Sequence, residues 1–167
     1  VTRKITRGLT QIDKGLEKNL YLGNIDAVRD WGHAKDYVEI QWKILQHETA
    51  EDFVIATGRQ ISVRNFIELA AKELGWGGII WEGKGLEEVG KRADNKETVI
   101  KIDKKYFRPC EVNSLMGDST KANKKLGWEP KTTLEELVAD MIKSDMEIAK
   151  KESFLIKKGF NFTQPKE

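Results

Sequence analysis

Apolar positions recur along the chain with two periods, and the switches between them give the order of the elements. Val1, Ile5, Leu9, Ile12 and Leu16 fall on one helical face and Arg3, Lys4, Arg7 and Lys14 elsewhere, which predicts a helix from Thr2 to Lys14 with Gly15 near its end. Leu20-Tyr21-Leu22 predicts a short strand, and Gly23-Asn24-Ile25-Asp26 a turn that delivers Arg29, Asp30 and Trp31. The pattern Ala34, Tyr37, Val38, Gln41, Leu45 predicts a helix over 34–46 that buries that side. A brief strand is expected at Phe53-Val54-Ile55-Ala56. Ser62 is an N-cap candidate for a helix carrying Phe66, Ile67, Ala70, Ala71 and Leu74, with Gly75 as its C-terminal glycine.

Ile79-Ile80-Trp81 reads as a further strand, and residues 82–97, rich in Gly and charge, as a mobile loop that buries little. Thr98 to Ile102 is β-branched and extended, and leads to Tyr106-Phe107-Arg108-Pro109. A short helix is expected from Ser119 to Leu126, closed by Gly127. A longer one, Leu134 to Lys150, opens on a Thr133/Glu136 capping box and buries Leu134, Leu137, Val138, Met141, Ile142 and Ile148. Patterning weakens after Glu152, so 152–167 is expected to be a weakly ordered tail.

Helices alternating with three or four short strands argue for an α/β class with α+β character. A free-standing doubly wound domain needs more strands, and no Gly-rich strand-to-helix turn of the dinucleotide type occurs, so the chain reads as part of something larger. Its 167 residues suit one domain. With 39% hydrophobic and 34% charged residues and no apolar run near the ~20 needed to cross a bilayer, the expectation is a protein of the cytosol, not of a membrane. A net charge of +2, from 29 basic against 27 acidic residues, is too balanced for the field of a nucleic-acid binder. An anion must therefore be met by particular side chains.

Few residues invite chemistry. Cys110 is the one cysteine, and with His33 and His47 it makes no ligand cluster for a metal and no nucleophile–base pair. His33, Ser62, Ser119 and Thr133 suit helix caps better than catalysis, and no catalytic residue is assigned. Arg29 is the most informative position, since a guanidinium takes a phosphate through two parallel hydrogen bonds. Spacing alone favours instead its pairing with Asp26, Asp30 or Asp36. Lys4, on an amphipathic helix, is by pattern a solvated lysine unless a phosphate or base lies near. Arg108 and Glu111 flank Pro109, suiting either phosphate and ribose or a helix-end ion pair.

The run Leu22-Gly23-Asn24-Ile25-Asp26-Ala27-Val28-Arg29-Asp30-Trp31-Gly32-His33-Ala34-Lys35-Asp36-Tyr37-Val38 closely resembles a segment of the GDP-mannose 4,6-dehydratases, of the extended short-chain dehydrogenase/reductase superfamily. The resemblance continues through Val1–Thr6, Asp52–Gly58, Tyr106–Val112, Gly117–Ala122 and Lys125–Pro130, the last of these shared with many nucleotide-sugar enzymes. It implies that Val1, Lys4, Arg29, Arg108 and Glu111 line the GDP portion of a substrate site, with the arginines near the diphosphate, which reverses the preference from spacing at Arg29. It also implies the C-terminal substrate-binding portion of an NADP-dependent lyase that forms GDP-4-keto-6-deoxymannose from GDP-mannose. On this resemblance the cofactor turn and the catalytic groups belong to an N-terminal half outside the chain, which is then inactive alone and marginally stable, and the full-length enzyme is a homo-oligomer. Two other readings stand beside it: a neighbouring nucleotide-sugar epimerase or reductase, and a binding module without catalysis.

Overall fold

A computed structural model describes residues 1–107 and 115–160. The chain divides into two compact units. The first takes Val1–Asn24, Phe66–Phe107 and the described part of 138–167; the second takes Ile25–Asn65 and the described part of 108–137.

In the first unit, helix α1 (Thr2–Asp13) precedes strand β1 (Leu20–Leu22), whose Leu20 and Leu22 are buried while Tyr21 is exposed. Gly8 of α1 lies where a Cβ would press on Leu20, so the helix meets the strand closely. Ile5 and Leu9 are buried as the apolar period requires, whereas Val1 is exposed. Thr6, Thr10 and Gln11 are buried too, on a flank that apolar spacing does not mark.

Strands β4 (Ile79–Glu82), β5 (Val89–Arg92) and β6 (Thr98–Ile102) complete a sheet of order β1-β6-β5-β4. The β1/β6 pair is parallel and the other two are antiparallel. Residues 82–97 are thus not the structureless loop expected from their composition, because β5 is an inner strand. Gly90 explains this: its missing side chain leaves room for Trp81, Ile79 and Ile100 of the neighbouring strands, so the apolar cover is lent rather than carried. Arg92 lies 4.2 Å over the Trp76 ring, and buried Trp76 donates its Nε1 hydrogen to Asp13 at 2.9 Å.

The second unit contains the two-residue strands β2 (Val28–Arg29) and β3 (Ile61–Ser62), paired antiparallel, and helix α2 (Ala34–Leu45). Phe53–Ala56 belongs to no strand, contrary to expectation; Ala56 instead packs where Gly117 lacks a Cβ. Ser62 caps α3 (Val63–Glu73), accepting the Asn65 N–H at 3.1 Å. That helix continues into the first unit, where Phe66, Ile67, Ala70 and Ala71 are fully buried.

The inward face of α2 is not the expected one. Ala34, Val38, Gln41 and Leu45 are exposed, and the residues turned in are Asp36 and Ile40. The Asp36 carboxylate accepts the backbone N–H groups of Lys131 and Thr132 at 3.2 and 3.0 Å, while buried Trp128 donates its Nε1 hydrogen to the Asp36 carbonyl at 3.1 Å. Around these contacts Ile40, Ala122 and Trp128 form the core, with Tyr37, Ile44, Phe53, Ile55 and Leu126 packed on it.

Helix α4 (Thr120–Leu126) ends on Gly127, whose φ of 58° is left-handed and suits glycine, and Lys43 Nζ donates to the Gly127 carbonyl at 3.0 Å. Helix α5 (Leu134–Lys157) opens with the capping box: Thr133 N–H donates to Glu136 at 2.8 Å and Glu136 N–H to Thr133 Oγ1 at 3.2 Å. It runs seven residues past the expected end at Lys150, so Glu152–Lys157 are helix and not frayed tail. Its inner stripe passes from Leu137, Val138 and Ile142 to Asp145, Ala149, Glu152 and Ser153, leaving Ile148 exposed.

Candidate functional site

Arg29 sits at the end of β2, opposite Ile61. With Tyr37, Ile55, Met116 and Gly117 it lines a pocket of about 310 Å³ in the second unit. Nη1 donates to the Val28 carbonyl at 2.7 Å, which holds the stem of the side chain along its own strand.

The three carboxylates that spacing offered to Arg29 all have strong partners elsewhere. Asp26 accepts from Arg64 Nε at 2.8 Å. Asp30 accepts the Thr57 hydroxyl at 2.6 Å, the Thr57 N–H at 3.0 Å and the Gly58 N–H at 2.8 Å, fastening the 57–58 turn beside the pocket. Asp36 takes the N–H pair at 131–132. Burial pushes the Asp36 carboxyl up, but the hydrogen bonds from Thr132 and Lys131 outweigh it and hold the group below its ordinary value. Burial, helped by Asp30 and Asp36, raises the Tyr37 phenol, which stays protonated at neutral pH. Gly32 permits this packing, since a Cβ there would collide with the Tyr37 ring.

A second cluster belongs to the first unit. The carboxyl ends of parallel strands are where ligands meet α/β sheets. The end of the β1/β6 pair is held by the Asp103 N–H donating to the Leu22 carbonyl at 2.8 Å. Gly23 then passes so close to the Tyr106 carbonyl that no side chain fits. Lys4, half-buried in the first turn of α1, places Nζ 3.4 Å from the centroid of the Tyr106 ring, so it is held by an aromatic face rather than simply solvated. Val1 is the N-cap of the same helix and makes no side-chain capping bond.

Val1 and Lys4 therefore share one turn, and Arg29 belongs to the other unit. Arg108, Cys110 and Glu111 lie outside the described residues. His33 is the N-cap of α2, its Nδ1 accepting the Lys35 N–H at 3.1 Å, which agrees with a capping role. A larger pocket of about 550 Å³ involves Glu17, Lys18, Asn19 and Glu97. With two carboxylates to one ammonium it suits an anion poorly. The signals missed in the sequence are Asp30, Tyr37 and the glycines at 32 and 117, whose partners are distant or are the very side chains that replace a missing Cβ.

The turn after β1 does not fit a dinucleotide cofactor. β1 leads through a turn into β2 instead of into a helix N-terminus, so the backbone N–H cradle that takes a pyrophosphate is not formed there.

Solved chains share this fold. RMD from Pseudomonas aeruginosa, complexed with NADPH, superposes with a TM-score of 0.66 at 19% identity, over 89% of this chain and 43% of that one. The dTDP-glucose 4,6-dehydratase of Bacillus anthracis, in complex with NAD, gives 0.60 at 18%, over 87% and 39%. The class is thus the extended short-chain dehydrogenase/reductase fold. Within it, the family model for GDP-mannose 4,6 dehydratase matches residues 1–141, and the chain belongs to that family. It is 53% identical over 165 residues to the GDP-mannose 4,6-dehydratase of Vibrio cholerae, covering 93% of this chain and 44% of that protein. The GDP-mannose 4,6 dehydratase of Homo sapiens is 49% identical over 148 residues, covering 89% and 40%. The chain spans under half the length of these relatives.

Proposed function

We propose that this chain supplies the GDP-sugar-binding part of an enzyme that dehydrates GDP-mannose to GDP-4-keto-6-deoxymannose. The observation that carries the proposal is Arg29, a fork donor that lines a pocket of about 310 Å³ with Tyr37, Ile55 and Gly117. Arg29 takes the diphosphate, and Val1, Lys4, Arg108 and Glu111 are the other positions assigned to the nucleotide. The hydride chemistry uses NADP held by residues other than those described. The working enzyme is a homo-oligomer of the cytosol; among the described residues no helix is long and apolar enough to cross a membrane.

A UDP-sugar epimerase is the alternative, favoured by the fold shared with the UDP-glucose 4-epimerase of Thermotoga maritima at 26% identity and a TM-score of 0.60. Base preference separates the two. Calorimetric titration is expected to give GDP about tenfold tighter than UDP, and Arg29→Ala weaker than wild type by about tenfold to a hundredfold, the worth of a charge-assisted pair. UDP binding as tightly as GDP would overturn the proposal in favour of the epimerase.

A further inference from the structure

The contact between α1 and α5 holds two carboxylates seven residues apart where an apolar stripe is otherwise continuous. Asp145, its side chain 1% exposed, accepts the Thr6 hydroxyl at 2.6 Å and pairs with Arg3 at 3.0 Å. One rung further along, Glu152 receives Gln11 Nε2 at 3.4 Å and faces Arg7 at 3.8 Å. The two rungs differ in grip. The short one holds the first turn of α1 from both sides of Lys4, and the other meets the helix further along, at Arg7 and Gln11.

Stability alone gives no reason for this arrangement, because a buried ion pair is often matched or bettered by apolar residues of similar volume. The first turn also carries Arg3 and Lys4 at the positive end of the helix dipole, with no acidic residue in that turn to offset them. A carboxylate there does what an apolar contact cannot: it is directional, so the helix can neither rotate nor slide along α5 without breaking a short hydrogen bond. We infer that Asp145 is a positioning residue that fixes the first turn of α1 and so presents Val1 and Lys4 to the nucleotide. This rests on the reading that these two residues meet GDP. Asp145 and Glu152 both lie beyond the stretch that the family model matches.

The test uses this chain with Asp145→Leu, Asp145→Asn, Thr6→Val and Glu152→Gln, reading amide hydrogen exchange along α1 and the affinity for GDP. Asp145→Leu is expected to speed exchange at Ile5 to Gly8 by about tenfold, while the first turns of α5 keep their protection, and to weaken GDP by about fivefold. Asp145→Asn, whose amide oxygen still accepts from Thr6, restores protection to within about twofold. Thr6→Val reproduces the leucine effect from the other side, so the test stands even where Asp145→Leu does not fold. Glu152→Gln leaves Ile5 and Thr6 unchanged. Unaltered exchange in folded Asp145→Leu and Thr6→Val, or a GDP affinity that simply tracks melting temperature across all four variants, overturns the proposal. Faster exchange in a chain whose wild type does not bind GDP overturns the nucleotide reading instead.

Discussion

Asp36 and Asp145 are both buried carboxylates on helices, at 5% and 2% exposure, yet they do different work because different groups satisfy them. Asp36 accepts two backbone N–H groups from a turn 95 and 96 residues away. Asp145 accepts the Thr6 hydroxyl and has Arg3 3.0 Å from its other oxygen, a half-exposed side chain that can return to water. A carboxylate bonded to backbone closes the fold, whereas one bonded to side chains selects among ways of packing a helix that would pack in any case.

The largest effect therefore belongs to Asp36. Asp36→Ala takes the acceptor from two half-buried N–H groups and is expected to cost about 2–3 kcal/mol in urea unfolding, at about 1–1.5 kcal/mol per lost hydrogen bond. Asp145→Ala orphans chiefly the Thr6 hydroxyl and is expected to cost about 1–2 kcal/mol by the same measure. Equal losses at the two positions would break the comparison. Thr133→Ala removes half of the α5 capping box for about 1 kcal/mol, a local reference for both.

Acid sharpens the contrast further. Hydrogen bonds from Lys125 and Lys121 lower the surface carboxyl of Glu51 to about 2 from an ordinary 4.5. Asp36 is lowered as well, its hydrogen bonds overcoming burial. A folded-state value below the unfolded one contributes stability that is present above the unfolded value and lost as pH falls through the folded one. Unfolding midpoints should thus drop between about pH 4.5 and about pH 2. Asp36→Asn should flatten that drop, and Glu51→Gln should flatten it less because the group is solvated.

Much of this fold is legible in the sequence where one face is locally encoded. β1, β6, α1, α4 and the capping box of α5 stand where spacing and punctuation put them. What fails is nonlocal. β5 reads as loop because Gly90 borrows its apolar cover from Trp81, Ile79 and Ile100. The pattern of α2 announces a helix but misnames its buried side, since Asp36 is drawn in by backbone donors far along the chain while Val38, Trp42 and Leu45 face out. Asp145 and Glu152 continue the α5 stripe in register, but acids at those positions read as polar, so the helix looked shorter and Ile148 looked buried. At the candidate site, Arg29 was singled out through resemblance, whereas the Asp30 link to Thr57 across 27 residues carried no local signal.

The most direct test is to map GDP onto the isotopically labelled chain by amide chemical shifts. The account expects the strongest changes around the Arg29 pocket, at Asp30, Thr57, Gly58 and Gly117, and their loss in Arg29→Ala. A folded chain in which saturating GDP shifts only Ile12, Lys18, Asn19 and Glu97, or shifts the same residues in Arg29→Ala as in wild type, would contradict it.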